Sequence, residues 1–163
     1  MEIKEFTLPY QQQVIDLILS IQAGEFSVPI TAHDQPDLKD IPDVYQKNNG
    51  NFWVAVEDEQ VIGTIALIDF GNASVALRKM FVHKDWRGKE KGVSQQLLQR
   101  VYNWCDEKEI KNIYLGTIER LYAARRFYEK NGFAVVDKKD LPADFPLMAV
   151  DTLFYKFSFI TRN

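Results

Sequence analysis

Met80 to Leu98, MFVHKDWRGKEKGVSQQLL, carries an apolar strand pattern through a short basic loop with two glycines directly into an amphipathic helix pattern. That is the layout of an anion site. A helix start leaves four backbone N–H groups without intrahelical partners and carries a partial positive charge, so phosphate oxygens placed there meet donors and a favourable field. Gly88 and Gly92 let the backbone approach a ligand, and Arg87, Lys89 and Lys91 add charge. A basic loop between a strand and a helix also occurs where nothing binds, so this stretch alone does not separate a ligand site from a solvated turn.

From Gly92 onward Val93, Leu97, Val101, Trp104 and Cys105 form one apolar stripe, while Gln95, Gln96, Gln99, Arg100 and Asn103 fall outside it, so the helix packs on a sheet. Cys105 on that stripe is a buried structural thiol rather than a nucleophile. Upstream, Glu2–Phe6 alternates as an edge strand. Val14, Ile15, Leu17, Ile18 and Ile21 then recur at helical spacing between Pro9 and Gly24. Glu25–Pro36 has no period and forms a surface loop, and Asp37–Gln46 is a short or broken helix at Pro42. Phe52–Val56 and Val61–Ile68 make a hairpin about Asp58-Glu59. Ser74–Val82 follows the Gly71-Asn72 turn. Strict alternation would put Val75, Leu77, Lys79 and Phe81 on one face and Ala76, Arg78, Met80 and Val82 on the other.

Downstream come a buried strand, Ile110–Leu115, and a helix ending at Asn131-Gly132 with Thr117 at its expected cap. A brief strand at Ala134–Val136 follows. A proline-punctuated loop then leads to a last strand, Thr152–Ile160, with Leu153, Tyr155, Phe157 and Phe159 on one face. The expected fold is therefore an α/β, or α+β, mixed sheet flanked by helices, in one domain spanning residues 1–163.

A second segment makes the first specific. The strand IYLGT (Ile113–Thr117) and the stretch AARRFYEKNGF (Ala123–Phe133), following the strand, loop and helix above, resemble the GNAT superfamily of N-acetyltransferases. In that family a loop of the form Q/R-x-x-G-x-G/A holds the coenzyme A pyrophosphate, and a tyrosine in A-x-x-F-Y-E-K-x-G-F stands near the thioester sulfur. Tyr128 occupies the tyrosine position. Counted back from Leu97-Leu98 the loop reads Lys89-x-x-Gly92-x-Ser94; counted forward from Val82, Arg87 takes the arginine place and Glu90 a usual glycine. A lengthened loop accounts for the two registers.

The resemblance implies a central, mostly antiparallel sheet of about seven strands with about four helices. It implies acetyl-CoA as donor substrate and no metal. Binding would fall to the main chain of Met80, Phe81 and Val82 and to Arg87, Gly88, Lys89, Lys91, Gly92, Val93 and Ser94, with Thr117 touching the pantetheine arm or simply capping a helix. Tyr128 would protonate the departing thiolate. Glu25, Phe26, His33 and Asp34 are candidates for contacting an amine acceptor. A base is missing from Ser74–Val82, and Glu57 and Asp69 are the nearest carboxylates by strand order. His33 and His83 stand alone as surface histidines. The alternative is a non-catalytic acyl-CoA-binding module, to which Glu90 and the missing base would point; a nucleotide-phosphate binder would need a G-x-x-x-x-G-K-[ST] run that the chain lacks.

A formal net charge of −3 argues against nucleic acid as main partner and leans toward cationic substrates. There is no Cys/His cluster with metal-ligand spacing, no signal-peptide core and no apolar run of spanning length. The expectation is a cytoplasmic monomer or homodimer, the aromatic last strand offering a pairing edge.

Overall fold

The computed structural model describes residues 1–27 and 30–159; Pro29 of the expected loop and Ile160, the expected end of the last strand, lie outside them. Seven strands form one sheet in the order β1-β2-β3-β4-β5-β7-β6, with β1 (Glu2–Glu5), β2 (Asn51–Glu57), β3 (Gln60–Gly71), β4 (Ser74–Val82), β5 (Asn112–Thr117), β6 (Ala134–Val136) and β7 (Leu153–Ser158). Every neighbouring pair is antiparallel except β4 and β5. The hairpins close where left-handed backbone is tolerated: Asp58 and Glu59 sit at φ 49° and 65°, and Asn72 and Ala73 at φ 56° and 55°. Two consecutive positive φ values match the right-handed twist of the flanking strands.

Four helices flank the sheet: α1 (Gln11–Leu19), α2 (Ile41–Val44), α3 (Val93–Glu107) and α4 (Tyr122–Lys130). On one face α3 and α4 bury Val93, Leu97, Leu98, Val101, Cys105 and Tyr128 against Trp53, Ile65, Leu67 and Tyr155. On the other, α1 buries Val14, Ile15, Leu17 and Ile18 over Phe52, Val54 and Ala66, and a loop carrying Phe145 covers Ala76, Tyr114 and Phe154. The periodicity of α1 runs on because the chain widens into a π-helical turn over Ser20–Glu25, which carries it past Gly24 before the helix breaks.

Two expectations are corrected here. In β4 strict alternation fails at Lys79, which takes φ 54°, and the pairing with β3 jumps from Ala66↔Arg78 to Thr64↔Phe81. This is a β-bulge, one extra residue in β4. Val75, Leu77, Met80 and Val82 consequently share the α3 face, while Ala76, Lys79 and Phe81 pack or bond on the opposite one. A period-two count cannot register an inserted residue. Thr117 is likewise no helix cap: it ends β5, buried and paired with Leu153, and α4 starts later with Leu121 at its cap.

Candidate active site

β4 and β5 pair only over Ser74–Ala76 and Asn112–Tyr114. Past Ala76 the two strands part, so the β5-facing backbone of Leu77–Val82 has no strand partner and a wedge opens in the middle of the sheet. An unpaired N–H edge inside a folded sheet is a binding feature, because buried backbone groups otherwise find partners. The bulge falls within this wedge. Lys79 O accepts from Thr64 Oγ1 at 2.6 Å, which ties the kinked segment back to β3.

At one end of the wedge lies the loop feeding α3. Gly88 and Gly92 sit at φ 103° and 68°, the left-handed region that costs a side chain energy, and no atom stands within 4 Å of the space a Cβ on Gly88 would fill. Lys91 N–H and Gly92 N–H both donate to Gly88 O, closing the loop into a turn. The first intrahelical bond of α3 is Gln96 N–H to Gly92 O at 3.0 Å, and no side chain caps the helix. The N–H groups of Val93, Ser94 and Gln95 thus precede the ladder, with no acidic residue in the first turn to occupy them. Val93 is itself buried and fixes the start, while Ser94 is half-buried in the first turn.

The basic residues of the loop divide. Lys89 is exposed, and Lys91 places its ammonium 5.3 Å above the Trp86 ring. Arg87 is committed elsewhere: Nε donates to Val82 O at 2.8 Å, and the two terminal nitrogens grip Glu25 Oε1 and Oε2 at 2.7 and 2.8 Å. Glu25 is held below the usual carboxylate range chiefly by that hydrogen bond. Arg87 therefore clasps the loop to the end of the π turn, and Glu25, expected on the acceptor side, is bound to the glycine loop that feeds α3.

Tyr128 comes from the inner face of α4. Its ring packs against Phe127, Phe133 and Tyr155 at centroid distances of 5.9, 5.6 and 6.0 Å, and its hydroxyl lies 3.9 Å from Met80 Sδ, inside the wedge. Burial first, then the charge of Asp151 and the neighbouring Tyr155, pushes the phenol pKa up, so the group stays protonated at neutral pH. Of the expected cofactor residues, Met80, Phe81 and Val82 line β4 beside the wedge and Thr117 ends the unpaired part of β5; the loop residues stand at the other end.

On the opposite face of the sheet sits a polar group that no sequence pattern announces. Lys79 Nζ lies 2.6 Å from Gln35 Oε1 and 3.2 Å from Asp37 Oδ2, and Tyr45 donates its hydroxyl to the same Asp37 oxygen at 2.6 Å. Burial pushes the Lys79 ammonium pKa down against the opposing pull of Asp37. Arg78 donates to Pro146 O, and beyond it the Asp151 carboxylate rests on Gly116 of β5. Of the other acceptor candidates, Asp34 caps its own turn through Thr31, and Phe26 and His33 are exposed on that side. The two carboxylates suggested as bases are occupied away from the wedge. Glu57 pairs with the Met1 amine at 2.6 Å, and Asp69 accepts from Asn49 N–H and Gly71 N–H. Among the described residues no group of His, Cys, Asp and Glu has the makings of a metal site.

The elements that build this wedge fall within a stretch that matches a known family. A family model described as an acetyltransferase (GNAT) domain matches residues 48–135. An acetyltransferase of the GNAT family from Staphylococcus aureus Mu50 superposes with a TM-score of 0.91 at 40% identity, over 96% of this chain and 98% of that one. The PaiA N-acetyltransferase of Thermoplasma acidophilum, solved with coenzyme A, shares the fold at a TM-score of 0.73 and 16% identity, over 97% of this chain and 98% of that one. The N-acetylaspartate synthetase of Xenopus tropicalis is 37% identical over 101 residues, 60% of this chain and 36% of its own length, so the chain spans about a third of that curated relative. The matched segment runs from just before β2 to β6 and contains the wedge, the glycine loop and Tyr128: the chain belongs to the GNAT family of acetyltransferases.

Proposed function

We propose that the chain is a single N-acetyltransferase domain that binds acetyl-CoA along the β4–β5 wedge and transfers the acetyl group to a primary amine of a small molecule, peptide or protein, by direct attack in a ternary complex. The observation that carries this is the Tyr128 hydroxyl beside Met80 within the unpaired part of the sheet. A pure binder has no use for a buried proton donor there. The site fits the donor: the pyrophosphate takes the N–H groups of Val93, Ser94 and Gln95 and the charges of Lys89 and Lys91, and Gly88 and Gly92 keep side chains out of its way. The pantetheine arm takes the open backbone edge from Met80 to Val82 and approaches Thr117.

Arg87 supports this end indirectly, by holding the loop to Glu25 and Val82 O. Backbone N–H near Val82 polarises the thioester carbonyl, and Tyr128 protonates the thiolate as it leaves. Holding donor and acceptor together is worth about 7–11 kcal/mol in favourable intramolecular cases, which leaves little for further groups to supply. The acceptor enters from the face bearing Arg78 and Lys79. Lys79 is already paired with Asp37, so the remaining cation, Arg78, is the one that favours an amine also carrying a carboxylate, and the likeness to N-acetylaspartate synthetase agrees with that choice. The protein acts in the cytoplasm as a monomer or homodimer; no helix among the described residues is long and apolar enough to cross a membrane.

Calorimetric titration with acetyl-CoA beside coenzyme A lacking the 3′-phosphate, followed by thiol release with a panel of amino acids, polyamines and peptides, tests the proposal. Saturable binding and amine-dependent thiol release are expected. Absence of binding removes the donor and with it the function.

A further inference from the structure

No carboxylate occupies β4, and both carboxylates expected from the sequence are tied down outside the wedge, so the proton that an ammonium acceptor must shed has no evident destination. Asp151 supplies one. It lies just before β7, and its carboxylate rests against the backbone of Gly116, in the part of β5 that has no β4 partner. The fit is close: a Cβ on Gly116 would stand 2.3 Å from Asp151 Oδ2. Only glycine at that position leaves room for the carboxylate. Thr152 N–H bonds to Thr117 O at 2.9 Å and Asp151 N–H to Met148 O at 3.1 Å, so main-chain bonds fix Asp151 from both sides.

Charged and titratable groups face it from two elements, Arg78 from β4 and Tyr128 from α4. Yet among the described residues none donates a hydrogen bond to its oxygens, and burial raises its carboxyl pKa against the opposing pull of Arg78. An anchored, half-buried carboxylate with unused acceptor capacity is open to a cationic partner that reaches it through the wedge. The neighbouring Leu147, Met148 and Val150 are exposed and give the approach an apolar rim.

Building on the acetyl-transfer function above, we propose that Asp151 is the site that receives the acceptor's ammonium group and takes its proton. The acceptor enters as R–NH3⁺ and donates a proton to the carboxylate, giving R–NH2 and a neutral Asp151. The amine lone pair then forms the C–N bond at the thioester carbonyl and the C–S bond breaks. The sulfur leaves with the proton of the Tyr128 hydroxyl, and the tyrosinate recovers a proton from the new amide nitrogen. Asp151 returns its proton to solvent, so one proton is released per turnover, as acetylation of an ammonium requires. The acid and the base stand on opposite faces of the sheet and meet only through the wedge: Tyr128 reaches in from α4, and Asp151 from the loop before β7.

Two coenzyme A thioethers test this without knowledge of the natural acceptor. S-(2-aminoethyl)-CoA carries an ammonium just beyond the sulfur, and S-propyl-CoA is its uncharged counterpart. The wild-type protein is expected to bind the aminoethyl probe about tenfold or more tightly than the propyl probe, as a charge-assisted hydrogen bond allows. That preference fades as the pH falls through the Asp151 titration. Asp151→Asn keeps the shape and removes the charge, and should bring the two probes to within about twofold of one another. Gly116→Ala, which displaces the carboxylate without altering it, should do the same. A wild-type protein that binds both probes alike, or an Asp151→Asn protein that keeps the preference, overturns the assignment and leaves the acetyl-transfer function standing. If neither probe binds, the donor site is misplaced, and the function and this inference fall together.

Discussion

At the scale of the residue, chemistry divides between groups whose neighbours are local in sequence and groups whose neighbours are not. The motif around Tyr128 is of the first kind: it is contiguous, so the tyrosine stood out from the sequence alone, while its burial beside Met80 was added by the fold. Tyr128→Phe is expected to lower turnover about 10²-fold, the usual scale for one general acid, with the acetyl-CoA dissociation constant nearly unchanged. Because burial raises the phenol pKa, the acid stays loaded, and the wild-type rate should not fall between about pH 7 and pH 10 for want of a proton. A pH–rate profile checks this. Arg87 belongs to the second kind. Its partner Glu25 lies 62 residues away, and a basic loop cannot announce which of its charges is already taken. Lys89→Glu with Lys91→Glu should raise the acetyl-CoA dissociation constant about 10- to 100-fold, more at low salt than at high, as measured by titration calorimetry.

At the scale of the element, α3 was read correctly along its whole length because its stripe is long and regular, and its starting glycine is needed for a backbone reason. Gly92→Ala forces a Cβ into φ 68°, at about 1–2 kcal/mol. It should therefore lower the melting temperature and weaken cofactor binding together. Leu97, fully buried where α3 crosses the sheet, should cost about 2–5 kcal/mol as Leu97→Ala in a denaturant titration, with the donor-binding residues untouched. β4 was read less well. Its hydrophobic content identifies a strand, but the sides of that strand depend on a count, and the count changes at Lys79. The polar group of Lys79, Asp37, Gln35 and Tyr45 was invisible for the same reason: it forms only when the bulge turns Lys79 toward the segment between α1 and α2.

At the scale of the whole molecule, the fold class was legible because strands and helices follow one another in an order that few sheets accommodate. The proposed acceptor face was not, since it is assembled from an irregular segment before β2 and another before β7, far apart in the chain. The same assembly buries phenols on both faces, Tyr45 on one and Tyr102, Tyr128 and Tyr155 on the other, all with raised pKa values. A group whose folded pKa is raised contributes its full stability below the ordinary value, here 10.0, and loses it as the pH rises above that value. Thermal melts should therefore fall steeply above about pH 10, and less so in Tyr45→Phe, which removes one of these phenols.

The bulge in β4 separates two properties that usually travel together. Removing Lys79 would let Ile65 face Met80 in a regular ladder, with Val75, Leu77, Met80 and Val82 still on one side and Ala76, Arg78 and Phe81 still on the other. Such a shortened chain is relieved of a left-handed lysine but leaves Asp37 and Gln35 without their partner, so its melting temperature is expected to fall although the ladder is more regular. For the β3–β4 ladder this residue is surplus, while for the segment before β2 it is an anchor, through Asp37 and Gln35. One residue thus ties the kink beside the wedge to the packing of the opposite face.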